Sequence, residues 1–224
     1  MKRKFQHIAY LLMVAAVITS CGEKKQTSEF PDWAWADFQR PEGINPIVSP
    51  DTTTVFYCPM RQDSVAWESS DTFNPAATIY DGKVVVLYRA EDNSAVGIGS
   101  RTSRLGYAYS DDGLHFNRMT VPVFYPADDN QKELEWPGGC EDPRVAVKDD
   151  GLYVMLYTQW NRKQARLAVA TSRDLQIWEK YGPAFAKAYG GRFFDEFSKS
   201  ASIVTKLVDG KQVIAKIDGK YWMN

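Results

Sequence analysis

"RLGYAYSDDGLHF" (residues 104–116) and "RLAVATSRDLQIW" (residues 166–178) align without a gap. Arg104 meets Arg166, Leu105 meets Leu167, Ala108 meets Ala170, Ser110 meets Ser172 and Asp112 meets Asp174, and each copy ends on an aromatic residue, Phe116 or Trp178. Upstream, "NPAATIYDGKVVVLYR" (74–89) resembles "DPRVAVKDDGLYVMLYT" (142–158). A weaker third copy begins at "KSASIVTKLVDGK". These segments are rich in β-branched and aromatic residues and are punctuated by Asp-Gly and Asn-Pro, the signature of short strands joined by tight turns. No window carries a convincing amphipathic helix, so the reading is all-β. A repeat of roughly 60–70 residues holding about four strands predicts a β-propeller blade.

Two complete copies and part of a third make about two and a half blades, whereas closed propellers have about four to eight. Open blades leave apolar faces and sheet edges uncovered. The expectation is therefore a truncated piece of a longer chain; assembly of a ring from several chains is the alternative.

The N-terminus differs in kind. Lys2, Arg3 and Lys4 precede the apolar run Ile8 to Ile18, then Thr19-Ser20-Cys21. The run is shorter than the ~20 residues of a spanning helix and fits the core of a secretory signal. The ending resembles a bacterial lipobox, which makes Cys21 the predicted lipidation site; an ordinary cleaved signal is the alternative. Three segments follow: a lipoprotein signal over 1–20, a polar tether over 21–42, and a propeller domain over 43–224. Trp33 and Trp35 in the tether read as docking residues or as a sugar platform. The expected location is outside the cytoplasm, in the periplasm or at the cell surface, with the membrane reached only through the lipid. After Cys21, Cys58 and Cys140 remain. An oxidising compartment would permit them to pair; separate small core residues are the preferred reading.

The 224 residues carry 27 Lys and Arg against 28 Asp and Glu. No basic patch points to nucleic acid. Metal-ligand spacing, a P-loop, a dinucleotide fingerprint and G-x-S-x-G are absent from the sequence, so no metal or cofactor is predicted. His115 falls opposite Ile177 in the repeat and reads as structural.

In a propeller, blade starts converge on the central axis. Asn74-Pro75, Asp142-Pro143 and Lys199-Ser200 stand at matching blade starts. A following proline is expected to hold Asn74 and Asp142 in extended geometry. Gly138-Gly139 permits a sharp turn or a close approach to a ligand. Asp142 is a plausible acid. Its neighbour Glu141 is expected on the opposite face, so that one of the two faces the pocket while the other braces Arg144 or a backbone amide. Arg89, Glu91, Asp92 and Arg104 gather nearby; for Asp92 a surface ion pair is preferred. Arginines, carboxylates and tryptophans together suit sugar hydroxyls.

The series "FNPAA…LYRAED…SRLGYAYSDDGLHF…GGCEDPR…YTQW…RLAVATSRDLQIWEKYGPAF…SKSAS" resembles glycoside hydrolase family 130, the β-mannoside phosphorylases and related β-mannosidases, over about residues 43–224. The resemblance implies a five-bladed β-propeller and inversion at the anomeric carbon. It implies Asp142 as the general acid, protonating the leaving oxygen through the sugar's O3. Asn74, Arg89, Arg104 and Glu141 match the region holding the sugar. Arg166 and Lys199 match positions for inorganic phosphate, the co-substrate of a phosphorylase, whereas a hydrolase would activate water with a carboxylate. The implied partner is a β-mannoside oligosaccharide. A glycan-binding surface lipoprotein without chemistry, or an inactive fragment, are the competing readings.

Overall fold

The computed structural model describes residues 39–224. The signal segment, Cys21, Trp33 and Trp35 lie outside the described residues. The compact unit considered below is Glu42–Asn224.

Two antiparallel four-stranded sheets follow each other along the chain. In the first, β3 (Asp71–Tyr80), β4 (Lys83–Glu91), β5 (Ser103–Ser110) and β6 (Asn117–Arg118) pair in sequence order. The second repeats this with β7 (Gly139–Val147), β8 (Tyr153–Trp160), β9 (Ala165–Ser172) and β10 (Glu179–Pro183). A short hairpin, β1 (Phe56–Cys58) with β2 (Asp63–Val65), precedes the first blade. A single-turn helix, α1 (Lys132–Glu135), lies between the blades. The third copy forms two small hairpins, β11 (Thr205–Val208) with β12 (Lys211–Ile214), and β13 (Lys216–Ile217) with β14 (Lys220–Tyr221).

The turn chemistry read from the sequence is realised locally. Asp81-Gly82, Asp209-Gly210 and Asp218-Gly219 all sit at positive φ on both residues, the geometry of a two-residue hairpin turn whose twist matches the strands. The matched Ser and Asp of the opening repeat build one and the same turn twice. Asp112 Oδ1 accepts from the amides of Leu114 and His115, and Ser110 Oγ from that of Gly113. Asp174 Oδ1 accepts from Gln176 and Ile177, and Ser172 Oγ from Leu175. His115 closes its copy by pairing Nδ1 with Asp112 Oδ2 at the surface.

Alternation along the strands gives each blade two faces. Val85, Leu87, Leu105 and Tyr107 from the first blade meet Tyr153, Met155, Tyr157, Ala168 and Ala170 from the second in the largest core. The other face of the first blade, Val86, Tyr88, Ala90 and Ala108, is covered by Phe56, Cys58 and Val65 of the N-terminal hairpin and by Trp67 just after it. That hairpin was not read from the sequence, because three-residue strands carry no usable period. The other face of the second blade packs Leu156 and Leu167 against Ala201. Cys58 and Cys140 are buried free thiols in two different cores.

Gly138-Gly139 turns out to serve close backbone packing. A Cβ on Gly138 would stand 2.3 Å from Trp160, and one on Gly139, at φ 119°, 2.2 Å from the Ser103 carbonyl oxygen. Ser103 and Gly139 are the residues through which the two blades bridge.

Candidate active site

The site grows from one backbone irregularity present in both blades. In β3 the register against β4 runs from Phe73–Arg89 to Ala76–Leu87, so three residues advance against two. In β7 it runs from Glu141–Thr158 to Arg144–Leu156, the same one-residue bulge. Asn74 (φ 45°) and Asp142 (φ 50°) occupy the bulges in the left-handed region. The expectation that proline keeps them extended is thus corrected. Asn and Asp are the non-glycine residues that best tolerate this conformation, and bulges re-aim side chains. The third left-handed residue in the series is Ser200 (φ 55°). Ser200, rather than Lys199, therefore matches Asn74 and Asp142, and Lys199 falls opposite Glu141.

The bulge also cancels strand alternation. Glu141 and Asp142 do not point to opposite faces; both reach the guanidinium of Arg89. Nη2 donates to Glu141 Oε1 at 2.9 Å and Nη1 to Asp142 Oδ1 at 3.0 Å. Arg144 instead donates to the Pro143 carbonyl. Asn74 Nδ2 donates to Asp142 Oδ1 at 2.9 Å. From the start of the third copy, Lys199 Nζ donates to Glu141 Oε2 at 2.6 Å and stands 3.3 Å from Asp142 Oδ2. Arg89 is further held by Glu91 Oε1 (2.6 Å) and Ser103 Oγ (3.0 Å), and its plane lies 4.5 Å from the Phe73 ring centre. Arg101 pairs with Asp71 and stands 3.5 Å from Glu91 Oε2. Four carboxylates therefore face three cations in one connected cluster.

The two adjacent carboxyls are pushed apart in acidity. Burial raises Glu141, the charge of Asp142 adds to this, and Arg89 and Lys199 only partly offset it. Burial also acts to raise Asp142, but the Asn74 hydrogen bond, Arg89 and Lys199 together outweigh it and hold Asp142 below the ordinary carboxylate value. Glu141 thus holds a proton more tightly than Asp142, whose contacts favour its ionised form.

Five of the predicted residues are thus brought together: Asn74, Arg89, Glu141, Asp142 and Lys199. Two are not. Arg104 is fully buried on the opposite face of the first blade. It donates to Asp92 Oδ2 at 2.8 Å and lies over the Phe56 ring. Asp92, expected in a surface pair, is buried with it. Arg166 holds the equivalent strand position in the second blade. It is engaged by the Phe194 carbonyl at 3.0 Å and by Asp195 at 2.9 Å. Phe73, Ser103, Asp71 and Arg101 were not singled out from the sequence. The matched strand registers were the signal that could have found them, since Ser103 faces Glu91 directly.

A second polar cluster lies in each blade. Tyr157 donates to Glu135 Oε1 (2.8 Å), and Lys180 pairs with Glu135 (2.5 Å) and Asp129 (3.1 Å). In the first blade Tyr88 donates to Glu68 (2.8 Å), while Arg118 pairs with Glu68 (3.2 Å) and Asp51 (2.7 Å). Arg118 pairs with Ala108 and Lys180 with Ala170, matching positions of the repeat. This duplication marks a structural staple between the outer strand and the segment leading into the blade. Among the described residues no group of three or more His, Cys, Asp or Glu is placed to hold a metal ion.

A solved structure from Bacteroides thetaiotaomicron VPI-5482 is 99% identical, with a TM-score of 0.85, over 88% of this chain and 56% of that one. Another solved structure is described with the statement that the GH130 family of mannoside phosphorylases contains glycoside hydrolases that target β-1,2 mannosidic linkages in Candida mannan. It is 69% identical, with a TM-score of 0.84, over 87% of this chain and 54% of that one. A 1,2-β-oligomannan phosphorylase of Thermoanaerobacter sp. (strain X514) is 37% identical over 152 residues, 66% of this chain and 46% of that protein. The chain thus spans about half the length of these relatives, and its blades are those of a five-bladed β-propeller. The family model described as β-1,4-mannooligosaccharide phosphorylase matches residues 39–224, and the chain belongs to glycoside hydrolase family 130.

Proposed function

We propose that this chain forms one wall of a site that cleaves β-mannosides with inversion, with Asp142 as proton donor. The observation that carries the reading is the bulge that turns Asp142 and Glu141 onto one guanidinium at a blade start. Departure of the leaving sugar builds oxocarbenium character, and protonation of the leaving oxygen must accompany it. Asn74 and Arg89 fix the donor, and hydroxyls of the sugar find carboxylate and amide partners at their side. The test is Asp142→Asn in the full-length protein. Cleavage of β-mannooligosaccharides should fall by about 10²–10⁴-fold while the melting temperature stays within a few degrees; full activity removes Asp142 from the role.

Phosphorolysis, giving α-mannose 1-phosphate, is supported by the family description and by the Thermoanaerobacter relative. Hydrolysis is favoured by a specific observation. Lys199 is spent on Glu141 and Asp142, and Arg166 on Asp195, so the cations assigned to phosphate already carry carboxylate partners. A dianion would have to displace them. On this reading, release of mannose is unchanged by adding inorganic phosphate, and no sugar phosphate accumulates; a rate that saturates with phosphate reverses it.

We also propose export as a lipoprotein anchored through Cys21, on the cationic start, the short apolar run and the small residues before the cysteine. Mass spectrometry of the membrane fraction should find a diacylglyceryl group on Cys21, and Cys21→Ser should release the protein from it.

A further inference from the structure

The family resemblance matches Arg89 to the region holding the sugar, yet its side chain is only 3% exposed and each of its three nitrogens already donates to a protein partner. Nε is taken by Ser103, Nη1 by Asp142, and Nη2 by both Glu91 and Glu141. Behind it stands Glu91, with no exposed surface. Glu91 Oε1 accepts from Arg89 and from Ser103 Oγ (3.1 Å). Its Oε2 is buried with no hydrogen-bond partner and stands 3.5 Å from Arg101 Nη1. A buried carboxylate oxygen left so is costly.

The fold itself does not require this arrangement. The second blade repeats the first, and at the positions of Arg89, Glu91 and Ser103 it carries Thr158, Trp160 and Ala165. There the same strands pair in the same register without a charge. A buried ion pair is weak evidence for stability in any case, since apolar groups of like volume serve as well.

We propose that Glu91 is a positioning residue of the cleavage site: with Ser103 it fixes the Arg89 fork, which in turn holds Glu141 and Asp142 side by side. The proposal rests on the β-mannoside-cleaving reading above. Glu91 takes a share of the Arg89 charge beside Glu141 and Asp142, which moderates the pull of the guanidinium on the two site carboxyls. The charged groups facing that pair are Arg89 from β4 and Lys199 from the third copy, with the neutral Asn74 from β3; those facing Glu91 are Arg89 and Arg101, the latter neutralised by Asp71.

The test is Glu91→Gln in the full-length protein, which keeps an acceptor for Arg89 and Ser103 and removes the charge. The field of Arg89 on Glu141 and Asp142 is then less compensated, so their acidity increases. The descending limb of kcat/KM should move to lower pH, and kcat at neutral pH should fall by about 10- to 100-fold with KM changed less than about threefold. Glu91→Asp should recover part of kcat. A lowered melting temperature with an unchanged pH limb and kcat would overturn the proposal. If the wild-type protein cleaves no β-mannoside, the function reading fails on its own. Isotope-edited infrared titration of the Asp and Glu carboxyls then decides the positioning role, and identical curves for wild type and Glu91→Gln overturn it. If Glu91→Gln does not fold, Ser103→Ala removes one hydrogen bond each from Arg89 and Glu91; its pH limb must shift relative to wild type, and an unmoved limb overturns the proposal.

Discussion

Asn74 and Asp142 are equivalent residues with different tasks. Both accept the left-handed conformation that a bulge before proline imposes. Asn74 then spends its amide on the carboxylate of the other. That bond favours the ionised form of Asp142, so Asn74→Ala should raise its pKa towards the ordinary value. A proton donor must be protonated in the free enzyme, and kcat/KM declines as pH rises through its pKa. The descending limb in Asn74→Ala should therefore move to higher pH, opposite to the shift expected for Glu91→Gln. Stability follows the same linkage. Asp142, lowered in the fold, contributes stability above its unfolded pKa that is lost as pH falls through the folded value; Glu141, raised, contributes at low pH and loses it as pH rises through its folded value. Acid titration of the melting temperature should show Asn74→Ala losing less stability than wild type as pH falls below about 4.

At the scale of elements, two features hold the blades in place. The first is the bridge at Gly139, where β7 meets the backbone of Ser103. Gly139→Ala would drive a methyl into backbone atoms and adopt a conformation hostile to side chains. Urea unfolding should show a loss of about 2–4 kcal/mol. The second is the repeated Tyr–Glu–cation staple. Lys180, 11% exposed, is the main partner of the fully buried Glu135. Lys180→Met should leave an uncompensated charge and cost about 3–5 kcal/mol. Arg118→Met, at a 25% exposed side chain, should cost clearly less because water reaches its partners. The strand pattern, the Asp-Gly hairpins and the Ser–Asp turns were legible because each depends on residues adjacent in sequence. The hairpin β1–β2 and the helix α1 were not, being too short for any period to show.

At the scale of the molecule, two cores lie on either face of the first blade, and each takes one cysteine. Cys58 and Cys140 should remain thiols, and the melting temperature should be unchanged by reductant; a drop on reduction would show that they pair. The family, the all-β class and the blade repeat were carried by motifs that survive in linear order. So were Asn74, Arg89, Glu141, Asp142 and Lys199 as a set, because each falls within one of the family's motifs. What sequence could not supply is direction. Alternation in an extended strand sends Glu141 and Asp142 apart, and only the bulge, a matter of register against β8, brings them together on Arg89. The same holds for Arg104 and Arg166, whose charges look available in the sequence. Each lies on a strand face committed to packing, with a carboxylate already in place. The sequence by itself determined which segments become strands and where they turn, since those choices are local. The tertiary structure decided which charges meet, because that depends on registers and faces set by residues far apart in the chain.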